Sequence, residues 1–313
     1  MLRDLERRRR SAAQVIVFAN EKGGVGKSTL AVHCAVALAH AGARVLAIDC
    51  DCRQQTLHRL FEARGGTART LRIALPTPRY SVLHRQNGPM LMQEIERLGG
   101  DCDFVLIDLA GHDSPTARRA IAMADTVVTP INCSPADLDA LGSINPVTGR
   151  FRHATPFTEV ILALRDARLA SGGSAFDWVV AKNRVRHCEH RLLALVNRNL
   201  GTMAERLGFR ALAGLAERVG YRDLLPFGLT QLDLRFIPDI GAPCAQREGG
   251  SPRPRSCRRK LPPGAARVGS AGRGHHPSLT AAPPGQERGG QPQNSLRSSI
   301  ENERPIGSTR NGW

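Results

Sequence analysis

Residues 20–29 read Asn20-Glu21-Lys22-Gly23-Gly24-Val25-Gly26-Lys27-Ser28-Thr29, a glycine-rich stretch with two lysines. The preceding run Gln14–Asn20 is mostly apolar and β-branched, which is typical of a strand buried on both faces. From Ser28, small and apolar residues recur with helical spacing until Gly42, which predicts a helix. A glycine-rich loop between a strand and a helix indicates a phosphate-binding loop, because its backbone N–H groups and the positive end of the helix can surround phosphate oxygens.

The loop also carries the side chains that a nucleoside triphosphate and its metal ion require. Lys27 is suited to neutralise the β and γ oxygens, the Ser28 hydroxyl to bind Mg²⁺, and Thr29 to reach the α-phosphate. The strict eight-residue pattern fails at its first position, where Glu21 stands in place of Gly, and a second lysine, Lys22, begins the loop instead. We therefore predict ATP and Mg²⁺ as ligands. The backbone predicted to surround the phosphates is that of Gly23, Gly24, Val25 and Gly26.

Acidic residues stand at the ends of two further predicted strands. Asp108 ends the apolar run Phe104–Asp108, while Asp49 and Asp51 end the strand that starts at Val45. Asp108 fits a carboxylate that binds Mg²⁺ through water, Asp49 is a second candidate metal ligand, and an Asp at this second strand end could orient the water that attacks the γ-phosphate. The alternative interpretation is that each Asp only caps the helix that follows its strand.

Strands and helices alternate along the chain. Beyond the first strand and helix, we predict strands over Val45–Asp49, Phe104–Asp108, Thr126–Ile131 and Phe176–Ala181. We also predict a helix over Ser114–Ala124 and a long helical stretch that follows the last of these strands and ends at about Leu207. This alternation indicates an α/β fold with a mostly parallel sheet and helices on both faces. Ligands on such a sheet bind at the carboxyl ends of the strands, where the glycine-rich loop is predicted to lie.

Composition divides the 313 residues into three parts. Residues 1–12 are predicted to be a basic N-terminal arm, residues 13–240 the P-loop domain, and residues 241–313 a disordered tail rich in Arg, Pro and Gly. Of the formal net charge of +16, residues 1–10 carry +3 and residues 241–313 carry +8, so the predicted domain is only mildly basic. A hydrophobic content of 41% is enough for a core, and an aromatic content of 4% does not favour an all-β sandwich.

The eight cysteines follow no disulfide-framework spacing, and no apolar stretch approaches the roughly 18 residues of a membrane span. We therefore predict a cytoplasmic protein without a membrane span. Cys50 with Cys52, and Cys188 with His190, supply too few ligands for a zinc site, so incidental thiols are the favoured interpretation.

These motifs resemble the ParA/MinD family of ATPases, which have a deviant Walker A loop. The resemblance is carried by Lys22–Thr29, Asp49-Cys-Asp51, Phe104–Asp108 and Asn183. It is closest to the MipZ branch of division-plane positioning ATPases, through Asn20-Glu-Lys-Gly-Gly, Asp51-Cys-Arg-Gln, Met123-Ala-Asp-Thr-Val-Val-Thr-Pro, Asn145-Pro-Val-Thr and Tyr221-Arg-Asp-Leu-Leu-Pro-Phe-Gly-Leu-Thr. It covers roughly residues 14 to 236 and implies the ParA/MinD (SIMIBI) type of P-loop fold.

The resemblance implies roles for individual residues. Lys22 would be the signature lysine that reaches across a nucleotide-sandwich dimer to the ATP of the partner, and Gly23 would lie in the dimer interface. Asp51 would align the attacking water, so that Lys22, Lys27 and Asp51 would form the catalytic set. Asn183 would recognise adenine.

The resemblance also implies a slow ATPase that switches between a monomer and an ATP-bound homodimer. Such a protein would bind nucleoid DNA without sequence preference, associate with the centromere-binding protein ParB, inhibit FtsZ assembly and distribute in a polar gradient. Arginines around the helix after Asn183 are candidate contacts to DNA phosphates, with an ordinary solvated surface as the alternative. They are Arg184, Arg186, Arg191, Arg198, Arg218 and Arg222.

Three other functional classes stay open. A plasmid or chromosome-partitioning ATPase of the ParA type would share the switch but need not act on FtsZ. A ligase of the same fold, similar to dethiobiotin synthetase, would bind a small acid beside the γ-phosphate, although the second lysine, Lys22, argues against it. A non-hydrolysing interaction protein would neither turn over ATP nor dimerise with it.

Overall fold

The computed structural model describes residues 13–237, except residues 86, 187 and 188 and the side chain of residue 219. The predicted basic arm and tail lie outside the described residues, as does Cys188. The strands are β1 Gln14–Phe18, β2 Val45–Asp49, β3 Arg79–Val82, β4 Phe104–Asp108, β5 Thr126–Asn132, β6 Gly142–Ile144, β7 Phe151–Ala154, β8 Asp177–Asn183 and β9 Arg210–Leu212. The α-helices are α1 Lys27–His40, α2 Thr56–Leu71, α3 Gly88–Gly99, α4 Pro115–Met123, α5 Pro135–Leu138, α6 Pro156–Ala170, α7 His190–Leu207 and α8 Val219–Leu224.

Seven strands form one parallel sheet in the order β3-β2-β4-β1-β5-β8-β9, and β6 and β7 form a separate antiparallel hairpin. This confirms the predicted α/β fold. From the central strand β1 the chain passes to β2 on one side of β1, whereas the later strands β5, β8 and β9 lie on the other side of β1. The carboxyl end of β1 is therefore the switch point at which such sheets bind ligands, and the glycine-rich loop begins there.

The strand sequences alternate between two helix layers. In β2, Leu46 and Ile48 pack into the core beneath α3, α4 and α6, while Val45 and Ala47 face α1 and α2. Both faces of this strand are buried, which explains its uninterrupted apolar sequence. Among the helices of the described region, none combines the length and apolarity that a membrane crossing needs.

The ends of several strands differ from those predicted from the sequence. Strand β1 ends at Phe18 rather than Asn20, because residues 19–20 turn into the loop. Strand β8 runs to Asn183, so that Asn183 ends the strand rather than following it. Strands β3, β6, β7 and β9 were not predicted, because segments of only three or four residues carry too little periodicity to be recognised.

The last described residues, 225–237, fold back onto α1 and α2 and are called the C-terminal segment below. Its Asp233 is fully buried and lies between Arg64 of α2 and His40 of α1, at 2.7 Å from a nitrogen of each. Gly228 has a φ of 64° and runs so close to α2 that an added Cβ would meet the Leu60 carbonyl oxygen at 2.2 Å. Only glycine fits this position.

Candidate nucleotide-binding site

The glycine-rich loop has the backbone shape that phosphate binding requires. Gly24 and Gly26 have φ angles of 73° and 93°, in the left-handed region that favours glycine. Gly26 is also the N-cap of α1, with no side-chain hydrogen bond, and the first turn of that helix holds no acidic residue. The N–H groups that begin α1 are therefore not capped by a side chain and suit an anion.

Two buried asparagines hold the loop in place. Asn20 donates from Nδ2 to the Pro130 carbonyl oxygen at 2.7 Å, and its Oδ1 accepts from the Lys22 amide at 2.9 Å. Asn183 donates from Nδ2 to the Val25 carbonyl oxygen at 2.8 Å. These bonds join β5 and β8 to the loop, so protein groups hold the loop backbone in this shape.

Asn183 also constrains the loop sequence. A Cβ on Gly26 would lie 2.1 Å from Asn183 Nδ2, so any larger residue at Gly26 would displace this amide. Its Oδ1 accepts from the Arg184 amide at 2.9 Å, which places both ends of the side chain in hydrogen bonds with protein. The adenine-recognition role of Asn183 stays a prediction.

The two loop lysines have different partners. Lys27 Nζ lies 3.4 Å from the Lys22 carbonyl oxygen, inside the loop. Burial lowers the pKa of Lys27, and the negative charges of Asp108 and Asp51 oppose that shift. Lys22 Nζ instead leaves the loop and forms an ion pair with Asp137 Oδ1 at 2.6 Å. Lys27 Nζ therefore lies inside the loop of its own chain, whereas Lys22 Nζ is held outside the loop.

The partner of Lys22 was missed in the sequence. Asp137 lies in the short helix α5 and is almost buried, and its Oδ2 accepts a 2.5 Å hydrogen bond from the Ser134 hydroxyl. The motif Ser134-Pro-Ala-Asp137 reads as a helix cap, which predicts a turn but not a lysine partner 115 positions earlier.

Asp108 has the environment of a metal-binding carboxylate. It is 1% exposed, hydrogen-bonds with the side chain of Ser28, and its Oδ1 has no hydrogen-bond partner. Burial raises the pKa of Asp108 to about 7, and the nearby Asp49 charge adds to the rise, while Ser28 and Lys27 oppose it. A buried carboxylate oxygen without a partner, beside a serine hydroxyl, is a donor set that fits Mg²⁺ and its waters.

Unlike Asp108, the carboxylates of Asp49 and Asp51 at the end of β2 accept hydrogen bonds from backbone amides. Asp49 accepts from the backbone amides of Asp51 and His58 at 2.9 and 3.1 Å, one on each carboxylate oxygen, and burial raises its pKa. These bonds match the capping alternative, so Mg²⁺ binding by Asp49 stays a prediction. Asp51 is half-buried, and its Oδ1 accepts from the amides of Arg53 and Gln54 at the start of the following loop.

We expect Asp108→Asn to stabilise the nucleotide-free protein in EDTA by up to about 4 kcal/mol at pH 8 and very little at pH 4. The carboxyl ionises near pH 7 in the fold but near pH 4 when unfolded, so the parent loses stability as the pH rises between these values. Urea unfolding across pH 4–8 measures the difference. Asp139→Asn, at an exposed carboxylate, is the control, and equal stability of the Asp108→Asn variant and the parent at pH 8 would contradict the assignment.

The candidate DNA-contacting arginines do not form one uniform surface. Arg186 and Arg222 both pair with Glu217, so much of their charge is already compensated. The other four are exposed and form no ion pair within the described residues, although the charge of Arg184 contributes to lowering the pKa of Glu217. These four are Arg184, Arg191, Arg198 and Arg218.

Comparison with known proteins places the chain among ATPases. A family model described as ATPase MipZ matches residues 14–243. Protein ParA of Rhizobium radiobacter is 30% identical over 161 residues, covering 48% of this chain and 67% of the relative. The chromosome partitioning protein ParA of Caulobacter vibrioides is 27% identical over 219 residues, covering 54% of this chain and 81% of the relative.

The fold is also that of a solved structure. The apo McdA protein of Cyanothece superposes with a TM-score of 0.50 at 17% identity, covering 73% of this chain and 95% of that one. The fold described above has therefore been seen before in a solved structure.

Proposed function

The chain belongs to the MipZ family of ATPases, and from that membership we propose that it is an Mg-ATP-dependent dimerisation switch that hydrolyses ATP slowly and regulates cell division in space. The observation that carries the proposal is the separation of the two loop lysines. Lys27 lies inside the phosphate cradle, whereas Lys22 projects from it with a side chain that is 39% exposed. A lysine that the cradle does not use is available to a second copy of the chain.

In the proposed ATP complex, the glycine-rich loop and the start of α1 bind the phosphates, and Lys27 neutralises the β and γ oxygens. Ser28 and Asp108 hold the metal ion, while Asp49 maintains the turn that carries Asp51. Mg²⁺ would supply charge neutralisation at the phosphate oxygens. Lys27 and Asp108 lie close enough for their charges to shift each other's pKa. The group proposed to neutralise the phosphates and the group proposed to bind the metal ion are therefore neighbours.

Asp51 is proposed to orient the attacking water. It leaves the end of β2 at the same sheet edge as the loop, and its negative charge raises the pKa of Lys27. Because a carboxylate in this position accepts a proton or hydrogen bond from water without touching the phosphates, its loss would slow hydrolysis and leave nucleotide binding intact.

Lys22 is proposed to contact the nucleotide of the partner protomer. The contact would exchange the ion pair with Asp137 for one with a phosphate, so dimerisation and the position of α5 would change together. The ATP dimer would be the form that binds nucleoid DNA and a ParB-type protein and that inhibits FtsZ assembly, and hydrolysis would return it to the monomer.

The proposal is tested by Asp51→Ala, for which we expect ATP turnover to fall at least about 100-fold while the ATP-bound dimer persists for many parental turnover times. Phosphate release measures the first effect, and light scattering during a chase with ADP measures the second. Asp139→Ala, at an exposed carboxylate, should behave like the parent. Parental turnover in Asp51→Ala would remove this residue from the proposed mechanism.

A second candidate function is chromosome or plasmid partitioning, and the name of the Caulobacter vibrioides relative, chromosome partitioning protein ParA, favours the chromosomal form. Both candidates share the switch, and they differ in the target: only a division regulator should slow FtsZ assembly in its ATP form. A ligase of the same fold would require a small carboxylic acid for turnover, so phosphate release without any acceptor excludes it.

A further inference from the structure

The antiparallel hairpin formed by β6 and β7, residues 142–154, is called the basic hairpin below. It leaves the sheet between α5 and α6, outside the nucleotide-binding loop. Its sequence contains Arg150, Arg152 and His153, and no acidic residue occurs between Asp139 and Glu159. The hairpin is therefore a local concentration of positive charge in a domain that is only mildly basic overall.

Hydrogen bonds within the turn brace the tip of the basic hairpin. Asn145 Oδ1 accepts from the amides of Val147 and Thr148 at 2.9 and 3.1 Å, and the Gly149 amide donates to the Asn145 carbonyl oxygen at 2.8 Å. Gly149 adopts a φ of 68°, which closes the turn. These bonds fix the backbone at the tip, where Val147 is 91% exposed.

The base of the basic hairpin is fixed as well. Phe151 and Ala154 pack against the main core, while Arg152 and His153 are exposed. An added Cβ on Gly142 would meet the Phe151 ring at 2.6 Å, so the two strands are in close contact at this point. A hairpin that is anchored at its base and braced at its tip presents its charges without a large entropic cost of ordering.

The charges on the hairpin are free to meet a partner. Arg150 and Arg152 are exposed, and neither forms an ion pair within the described residues. In contrast, Arg186 and Arg222 share Glu217. The hairpin arginines therefore retain full charge for an external anion.

The basic hairpin also lies beside other free cations. Strand β7 packs against α7, whose exposed face carries Arg191 and Arg198 without acidic partners in the described residues. Exposed cations therefore occur on two elements that are in contact although they are distant in sequence. A two-stranded ribbon is narrow enough to enter the major groove of DNA, which is about 12 Å wide.

We propose that the basic hairpin is a DNA-binding element that contacts the phosphate backbone of a duplex through Arg150 and Arg152, next to α7. The inference rests on the DNA binding included in the proposed function and adds a contact that the candidate arginines do not include. An anionic membrane fits less well, because membrane-surface elements pair their cations with a broad apolar face and the exposed tip offers only Val147.

The test uses the full chain, Mg²⁺, a slowly hydrolysed ATP analogue and a fluorescent 30-base-pair duplex of arbitrary sequence. Arg150→Gln/Arg152→Gln is compared with Arg69→Gln/Arg97→Gln, which removes the same charge from exposed positions on α2 and α3. We expect the hairpin variant to bind DNA on the order of 30-fold more weakly at 0.15 M salt, with a salt slope smaller by about 2. The control variant should remain within twofold of the parent.

Light scattering separates this inference from the proposed function. The hairpin variant should still dimerise with the ATP analogue, since neither arginine touches the nucleotide-binding loop. If the hairpin variant binds DNA as tightly as the control variant does, the inference is wrong. It is also wrong if the parent dimerises with nucleotide but does not bind DNA, although that result would leave the proposed switch intact. Selective loss of binding to phosphatidylserine vesicles, with unchanged DNA affinity, also overturns it and assigns the hairpin to membranes.

Discussion

In Lys22→Ala, ATP binding should stay within about threefold of the parent, while the ATP-dependent dimer is lost. The phosphates of the same chain depend on the loop backbone and Lys27, and the Lys22 amino group lies outside that cradle on Asp137. A charge-assisted contact across a closed interface contributes about 2–5 kcal/mol when one partner is removed, and a symmetric dimer contains two such contacts. The dimer dissociation constant should therefore rise by at least about 1,000-fold.

Titration with a fluorescent ATP analogue measures nucleotide affinity, and light scattering over a range of protein concentrations measures dimerisation. Lys182→Ala is the matched control, because Lys182 is a partly exposed lysine at the end of β8 whose amino group bonds only Asn197 among the described residues. If Lys22→Ala dimerises like the parent, Lys22 has no role across the interface. If it fails to bind ATP, the lysine serves its own loop instead.

The second large effect is expected at Arg64, where replacement by Leu should reduce the free energy of unfolding by about 3–5 kcal/mol. Arg64 and Asp233 are both fully buried, and the guanidinium forms two hydrogen bonds with the carboxylate, at 2.7 and 2.8 Å. It also donates to the carbonyl oxygens of Pro76 and Gly228. Removing it leaves the buried Asp233 charge and two carbonyl groups without this partner.

The pH dependence identifies the cause of this loss. Burial of Asp233 raises its pKa, but hydrogen bonds from Arg64, the Thr230 amide and His40, together with the Arg64 charge, hold the pKa at about 2. A lowered pKa stabilises the fold above the unfolded value near 4, and this contribution is lost as the pH falls toward 2. The difference between parent and variant should therefore be largest near neutral pH and shrink as the pH falls toward 2.

Urea unfolding at several pH values measures this difference. Arg69→Leu, at an exposed position on the same helix, should change stability by no more than about 0.5 kcal/mol. A loss below about 1 kcal/mol in Arg64→Leu would show that the C-terminal segment does not depend on this ion pair. Because the segment packs on α1 and α2, its loss would also loosen the helix that begins at the nucleotide-binding loop.

The local parts of the site could be predicted from the sequence. The loop, the strand before it and the helix after it are contiguous in sequence, so the backbone conformation of each depends mainly on neighbouring residues. The same holds for Asp108, because the four apolar residues before it identify a buried strand and its end. The alternation of strands and helices was sufficient for the α/β fold.

The long-range parts could not be predicted. Arg64 and Asp233 are 169 residues apart, and neither stands in a recognisable motif, so only the folded chain brings them together. The same is true of Lys22 and Asp137. Asp49 illustrates a different limit, because an Asp at a strand end has the same sequence signal whether it binds a metal ion or accepts backbone hydrogen bonds.

The proposed function depends on the ATP-dependent dimer, which size-exclusion chromatography with light scattering on the full chain can detect. The molar mass of the chain is measured in two conditions at equal protein concentration, one with Mg-ADP and the other with Mg²⁺ and a slowly hydrolysed ATP analogue. We expect the monomer mass with ADP and twice that mass with the analogue. A monomer in both nucleotide states would contradict the switch, and a ligase or a non-hydrolysing relative would then be the better description.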